Sequence, residues 1–462
     1  MGLSILGPMG LIVAKFGGTS LGDGPAITRS LALAEKQEGL GLLVVSATAG
    51  TTDRIASLIQ LPLGEGGWAR ALEILGEIGE RHHLLARNLG TTDRETLERL
   101  DKIVEEGRTV LKKGKALGED LSPWAKDALL SMGELLSSTL VAAQARKIFH
   151  RPVEWLDVRE VLKTDERFGR ALPLLSEISL RCSVRLKDPL GEGRIFVTQG
   201  FVGSTLEGQT TTLGRGGSDY SAALLAEGVD ADELQIWTDV PGVATGDPRL
   251  CSKTKTLEEL SFEEAAELAT FGAKVLHPST VWPAMRKDIP IFVGDSSGDW
   301  TLGKKGTWVK RETTARPLIR AMALRERQSI LTLSTPRMVS TYGYLHDIFK
   351  AFKKHRVSVD LVSTSEISVS ITLGDDLLDD KALIDDLSLL GKVDVESGYG
   401  LVSLIGNQIN HTAGLAAKIL NTVSSVNIRL LCSGAGQHNF SFLVDESDAR
   451  DVLQKLHGQF LE

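Results

Sequence analysis

Cysteine is nearly absent from this chain: Cys182, Cys251 and Cys432 are the only three in 462 residues, far apart and with no CxxC spacing. So sparse and odd a set excludes a disulfide framework and points to a reducing, cytosolic compartment with buried, inert thiols. Positive charge is also in deficit. Lys and Arg number 52 against 60 Asp and Glu, a net charge of −8, which argues against nucleic acid as a partner, because such binders carry basic faces. No apolar run approaches a membrane span, so no membrane partner is expected. Residues 1–10 are apolar but lack the basic n-region of a secretory signal, and read as a loose tail. No His, Cys and carboxylate cluster has metal-ligand spacing, so no dedicated metal site is expected.

What the chain does have is glycine, 47 of them, and several stand where a strand pattern ends. Leu11-Ile12-Val13-Ala14 runs into Lys15-Phe16-Gly17-Gly18-Thr19-Ser20. A short buried-type strand ending in paired glycines is how an open α/β sheet presents a phosphate site at its carboxyl edge. The ammonium of Lys15 can reach phosphates cradled by the N–H groups of Gly17 and Gly18. The lysine precedes the glycines, unlike the GxxxxGK[ST] loop. A plain strand followed by a Gly-Gly turn fits the same residues.

The length suggests two or three domains. From Leu11 to about Val293, apolar runs such as 42–45, 195–197 and 235–237 alternate with helical stretches such as 71–86 and 127–147. This alternation predicts an α/β domain over 1–296, a mostly parallel sheet sandwiched by helices. Residues 297–317 are polar and rich in Gly, Lys and Thr, and read as a linker. An internal repeat follows, each copy a β-α-β-β run closed by a helix. The first has strands at 330–333, 357–361 and 368–373 around a helix at 344–355; the second has strands at 401–405, 428–431 and 440–444 around a helix at 412–423. Domains are expected at 318–397 and 398–462, both α+β. The second copy runs out of chain before a fourth strand, while a spare strand stands at 318–324. That strand is expected to complete the second sheet, interlocking the two.

Other constellations follow strands in the first domain. In Thr210-Thr211-Thr212-Leu213-Gly214-Arg215-Gly216-Gly217-Ser218-Asp219 the glycines allow close approach of a ligand, Ser218 and Asp219 suit a helix N-terminus, and Arg215 offers a fork for a carboxylate. The stretches 238–242 and 246–249 are turn formers that could flank a nucleotide. Lys274, within Gly272-Ala273-Lys274-Val275-Leu276-His277-Pro278, is either a snorkelling helix-end lysine or a phosphate contact. His277 beside Pro278 reads as a capping or packing histidine rather than a general base.

Together KFGGTS at 15–20, SATAG at 46–50, GEL at 133–135, TTTLGRGGSD at 210–219, WTDVPG at 237–242, DPR at 247–249 and FGAKVLHP at 271–278 resemble aspartate kinase of the amino-acid-kinase fold. GYL at 343–345, SVDLVSTSE at 358–366 and IGN at 405–407 are similar to the paired ACT domains (βαββαβ) of the same family. The resemblance covers nearly the whole chain, in order, and is nearest the lysine-sensitive, monofunctional form. It implies transfer of the γ-phosphoryl of ATP, brought with Mg²⁺, to the side-chain carboxylate of L-aspartate. An ionised carboxylate needs no general base, but at about 4 Å and an effective dielectric near 20 each pair of like unit charges repels by roughly 4 kcal/mol, so fixed cations and N–H dipoles must offset it.

The resemblance implies roles by position. Lys15 would meet the transferring phosphoryl, Gly17 and Gly18 donate N–H groups, and Asp219 orient Lys15. Arg215 would take the substrate α-carboxylate and Glu134 its ammonium, with Ser46, Thr52, Gly216 and Ser218 completing the pocket. Thr238, Asp239, Ala244, Arg249, Lys274 and Val275 would hold the nucleotide; Ala244 stands where lysine-sensitive relatives often have an aromatic residue beside the adenine. For L-lysine as feedback inhibitor, Asp360 and Glu366 are the anions for its ammonium groups, and Met338, Thr341, Tyr344, Leu345, Val359 and Ser365 line the rest. A homodimer paired through the ACT repeats is implied, with a tetramer, and threonine or S-adenosylmethionine as second effector, left open. A non-catalytic amino-acid sensor on the same fold, or another amino-acid kinase, remains an alternative.

Overall fold

The computed structural model describes residues 10–62, 66–116, 120–272, 276–298, 305–313, 317–375, 380–434 and 436–462. It separates into two compact units, and the chain does not divide between them at one point. The second contains Ala244–Lys255 and Ala266–Lys274 as well as Thr314–Glu462. Two segments that precede the boundary expected at residue 296 thus pack with the chain that follows it. Within the second unit the amide of Met322 donates to the carbonyl of Thr245 (2.9 Å), Asn439 Nδ2 to Glu267 Oε2 (2.8 Å), and Gln454 Nε2 to the carbonyl of Leu250 (2.7 Å).

The first unit is built on an eight-stranded sheet in the order Val153–Leu156, Ile195–Gln199, Leu40–Val45, Ile12–Phe16, Glu233–Thr238, Ile291–Asp295, Gly306–Lys310, Glu259–Ser261. Every neighbouring pair is parallel except Ile291–Asp295 with Gly306–Lys310. The expected mostly parallel α/β sheet is what forms, because its strands are near-continuous apolar runs covered on both faces. Residues 306–310 correct the linker expectation. They form a strand of this sheet because Thr307 and Val309 alternate inward and are fully buried.

Strand Ile12–Phe16 lies between Leu40–Val45 and Glu233–Thr238, where successive connections leave in opposite directions. Loops at the carboxyl ends of parallel strands open a crevice at such a switch point. In these strands Phe16 stacks on Trp237 (ring centroids 6.1 Å apart), and Trp237 meets Phe292 edge-on (5.2 Å). Helix Met132–Ile148 is buried on all sides from Met132 to Ala145. Residues 123–148 are apolar enough to pass for a membrane span, with mean hydropathy 1.2, contrary to the sequence expectation. Yet 89% of that apolar window is buried inside the protein, as for a core helix.

The second unit carries one six-stranded antiparallel sheet, ordered Val362–Thr364, Ser368–Gly374, Ala321–Ser334, Lys392–Ile405, Asn439–Asp445, Leu430–Ser433. The spare strand and the first strand of the repeat are one 14-residue strand, Ala321–Ser334. Its first part, from Ala321 to Arg325, pairs with residues 401–405, and its second part, from Gln328, pairs with Ser368–Gly374 and with residues 392–399. The register slips between Arg325 and Gln328, where Arg327 adopts φ +56°. The boundary expected at 397/398 falls inside strand Lys392–Ile405 for the same reason: both long strands pass through both repeats. Helices Tyr344–Lys354 and Lys381–Ser388 cover one half, Leu415–Thr422 and Glu446–Phe460 the other. The strand expected at 357–361 begins instead at Val362; just before it the amide of Asp360 donates to the carbonyl of Thr372 (3.0 Å) and the amide of Thr372 to the carbonyl of Leu361 (2.9 Å), while the Leu361 amide goes to the Thr372 hydroxyl (2.9 Å).

Candidate active site

A cleft of about 570 Å³ opens at the switch point of the first unit. Its walls include Lys15, Gly17, Gly18, Ser46, Thr52, Glu134, Gly216, Ser218, Asp219, Thr238 and Asp239. These residues come from five separate stretches of sequence and meet because the parallel strands end on one edge.

Lys15 occupies the penultimate position of the central strand, level with Val44 on one side and Ile236 on the other. It is 7% exposed, and its Nζ lies 2.6 Å from Asp219 Oδ1. Asp219 stands in the first turn of helix Gly217–Gly228, where a carboxylate complements the helix dipole. The fit of the turns is close. A Cβ on Gly18 would lie 2.9 Å from the carbonyl oxygen of Ala47, and one on Gly216 would lie 2.4 Å from the His277 side chain, at φ +72°. His277 caps helix Pro278–Lys287, accepting from the amide of Ser279 (3.3 Å), and burial lowers its pKa. It is the packing and capping residue read from the sequence.

One expectation is corrected. The amide of Gly17 already donates to the carbonyl of Trp237 (3.1 Å), so it tethers the loop to the neighbouring strand. Gly18 also lines the cleft, and its amide makes no hydrogen bond among the described residues.

Glu134 is the other charge-bearing wall. It sits in the first turn of helix Met132–Ile148, 4% exposed, and Oε1 accepts from the amide of Ala47 (3.1 Å). Oε2 is buried and has no hydrogen-bond partner among the described residues. Burial pushes its pKa up to about 8, partly countered by the Ala47 amide. A carboxyl so placed holds its proton near neutral pH until a cation reaches it. Ser137 Oγ on the same helix donates to the carbonyl of Ser46 (2.7 Å), fixing the start of the Ser46 to Thr52 turn.

Three supporting residues carry no motif and escaped sequence reading. Arg81 donates to the carbonyl of Ala49 (2.8 Å) and to Thr51 Oγ1 (3.3 Å). His82, fully buried, donates from Nδ1 to the carbonyl of Ile78 (2.7 Å), so Nε2 accepts from Thr48 Oγ1 (3.2 Å); burial brings its pKa down to about 4. Asp127 accepts from the amides of Gly169 and Thr212 (2.8 Å each) and from Thr212 Oγ1 (3.0 Å), pinning the strand that leads to Arg215.

Arg215 is exposed on its loop and makes no side-chain hydrogen bond or ion pair among the described residues. Ala244 and Arg249 belong to the segment that groups with the second unit, where Arg249 pairs with Asp247 (2.5 Å). Lys274 and Val275 lie outside the described residues. Among the described residues no group of three His, Cys, Asp or Glu side chains is placed to hold a metal ion.

In the second unit Thr341, Leu345, Ser365 and Glu366 are exposed, and Met338 and Val359 pack partly on the first repeat's core. Tyr344 is more buried than a lining residue needs to be, at 7% exposed, and its hydroxyl donates to the carbonyl of Leu390. Asp360 is not free: Arg325 Nη1 lies 2.5 Å from its Oδ2.

A cleft with a fixed buried cation, a glycine amide and an uncommitted acid suits transfer of a phosphoryl group to an acceptor that is already anionic, the chemistry of the amino-acid-kinase class. The amino acid kinase family profile matches residues 10–295, and an ACT domain profile matches residues 402–460. The chain is 43% identical to lysine-sensitive aspartokinase 3 of Escherichia coli (strain K12) over 98% of its own length and 99% of that protein's. The crystal structure of E. coli aspartokinase III in complex with aspartate and ADP (R-state) superposes with a TM-score of 0.86 at 41% identity, covering 98% of this chain and all of that one. The form in complex with lysine and aspartate (T-state) gives 0.77 with the same identity and coverage. The chain belongs to the aspartokinase family. It is an ATP-dependent phosphotransferase with a carboxyl-group acceptor.

Proposed function

We propose that the chain transfers the γ-phosphoryl of MgATP to the side-chain carboxylate of L-aspartate, giving 4-phospho-L-aspartate, the entry step to lysine, threonine and methionine synthesis in the cytoplasm. The observation that carries the reading is the buried Lys15–Asp219 pair facing Glu134 across one cleft. Aspartate has one ammonium and two carboxylates. Glu134 Oε2 takes the ammonium, Arg215 the α-carboxylate, and Ser46, Thr52, Gly216 and Ser218 close around the backbone. The side-chain carboxylate then points at the γ-phosphoryl, which rests on Lys15 and the Gly18 amide. Asp219 holds Lys15 in place, and catalysis is positioning plus charge stabilisation. Thr238 and Asp239 face the nucleotide. On the resemblance alone, Ala244, Arg249, Lys274 and Val275 take the rest of it, and Mg²⁺ arrives on its phosphates.

L-Lysine is proposed as feedback inhibitor at the first repeat, supported by the lysine complex of the E. coli relative. Copies pair edge to edge there as a homodimer, where Val339, Tyr342, Leu345 and Ile367 are exposed. The test is ADP release from MgATP with and without L-aspartate, titrated with L-lysine, beside Lys15→Met. Aspartate-dependent turnover that falls with lysine and drops on the order of 10³-fold in the variant is the expected result. ADP release indifferent to aspartate overturns the reading; ATP binding without turnover favours an amino-acid sensor.

A further inference from the structure

Arg325 stands where the two repeats exchange strands. It is the last residue of Ala321–Ser334 to pair with the second repeat, opposite Leu401, before the register slips. One arm of its guanidinium reaches the first repeat, Nη1 to Asp360 Oδ2 at 2.5 Å. The other reaches Thr270 in the last turn of helix Phe262–Phe271, Nη2 to its carbonyl oxygen at 2.5 Å. The two side chains of the ion pair are 30% and 23% exposed, so the pair is partly shielded from solvent. A planar fork can hold two acceptors at fixed geometry, which a single ammonium cannot. A cation at a helix C-terminus also satisfies a carbonyl that has no intrahelical donor.

Asp360 is also one of two carboxylates proposed to receive the lysine effector. Glu366, the other, is exposed. Oδ2 of Asp360 is already held by the guanidinium, so an ammonium arriving at this carboxylate competes with Arg325 for its charge. Once displaced, Arg325 no longer holds Thr270. Beyond Thr270 comes Gly272 (φ +116°), and Lys274, which lies outside the described residues and which the resemblance alone gives to the nucleotide, is four positions on from Thr270 in the sequence.

We propose that Arg325 is an internal competitor of the effector: it occupies Asp360 in the uninhibited chain, and its displacement by the lysine ammonium releases the end of helix Phe262–Phe271 and weakens nucleotide binding. This rests on the lysine-effector reading. It makes Arg325 a residue that sets effector affinity and carries the signal, with no part in the chemistry.

The test uses the full-length chain, with lysine affinity from calorimetry and the KM for ATP with and without lysine. In Arg325→Gln, lysine binds about fivefold tighter, the KM for ATP without lysine rises about fivefold, and lysine changes that KM less than about twofold. Arg325→Lys keeps the competing charge but not the second arm, so its lysine affinity stays near wild type while its KM for ATP rises. Arg325→Gln with wild-type lysine affinity and wild-type inhibition overturns the proposal and leaves the effector reading standing. A wild-type chain that neither binds nor responds to lysine overturns the effector reading, and this proposal with it.

Discussion

Glu134 shows what a single residue decides. Its sequence setting says only that a Glu follows a Gly in a helix; burial makes it a proton-holding acid with one buried oxygen that has no hydrogen-bond partner among the described residues. A substrate ammonium at Oε2 favours the charged form, so binding expels the proton. Calorimetry of aspartate binding at pH 7 in two buffers of different ionisation enthalpy is expected to show most of a proton released per site; heats independent of buffer contradict this. The ligand-free chain feels the same group in its stability. The folded-state pKa lies above the unfolded value, so between about 4.5 and about 8 the folded state binds the extra proton, and the contribution to stability falls as pH rises through that window. Glu134→Gln should remove that slope and match or exceed wild-type stability at pH 8, while the KM for aspartate rises roughly tenfold or more. Thermal unfolding across pH and steady-state kinetics read the two effects.

Among elements, the turns and one strand carry the most information. Gly216→Ala meets both φ +72° and the His277 side chain, and such backbone strain costs about 1–3 kcal/mol. A lowered unfolding midpoint together with a raised KM for aspartate is expected, since Arg215 and Ser218 flank the position. Strand Gly306–Lys310 is tested by Val309→Ala: a linker residue would tolerate the change, whereas a fully buried strand residue should lose about 2 kcal/mol in chemical denaturation. The elements legible in the sequence were those with an unbroken apolar period, such as Ile12–Phe16, Leu40–Val45 and Tyr344–Lys354. Strand Gly306–Lys310 was hidden by polar neighbours and shows only two inward residues. The fusion of 318–324 with 330–333 was hidden by Arg325, Glu326 and Arg327, charges that read as a break but cross from one repeat to the other.

The candidate site divides the same way. Lys15, the glycines and Asp219 were visible because phosphate chemistry constrains residue type next to a strand end. Arg81, His82 and Asp127 were not, because a side chain that bonds a distant backbone group leaves no local pattern. The committed amide of Gly17 depends on strand pairing with Trp237, which spacing alone does not specify.

At the scale of the whole molecule, the second unit includes segments 244–255 and 266–274, drawn from the stretch that carries DPR and the start of FGAKVLHP. On the reading proposed above, Arg249 of the nucleotide set shares a unit with Asp360 and Glu366, while Thr238 and Asp239 stand in the other. Linkage makes the coupling reciprocal: if lysine weakens ATP binding, ATP weakens lysine binding by the same factor. Lysine affinity measured with and without saturating MgADP should differ by the factor seen in the nucleotide's own affinity, and unchanged lysine affinity would restrict inhibition to a kinetic effect.

The central claim is that the acceptor is the side-chain carboxylate of aspartate, phosphorylated in the Lys15–Asp219 cleft. An acyl phosphate reacts with hydroxylamine, so the decisive measurement is hydroxamate formation from MgATP and L-aspartate. The account predicts aspartyl hydroxamate in step with ADP, requiring both substrates and reduced on the order of 10³-fold by Lys15→Met. ADP release without hydroxamate, or hydroxamate undiminished in the variant, would contradict it.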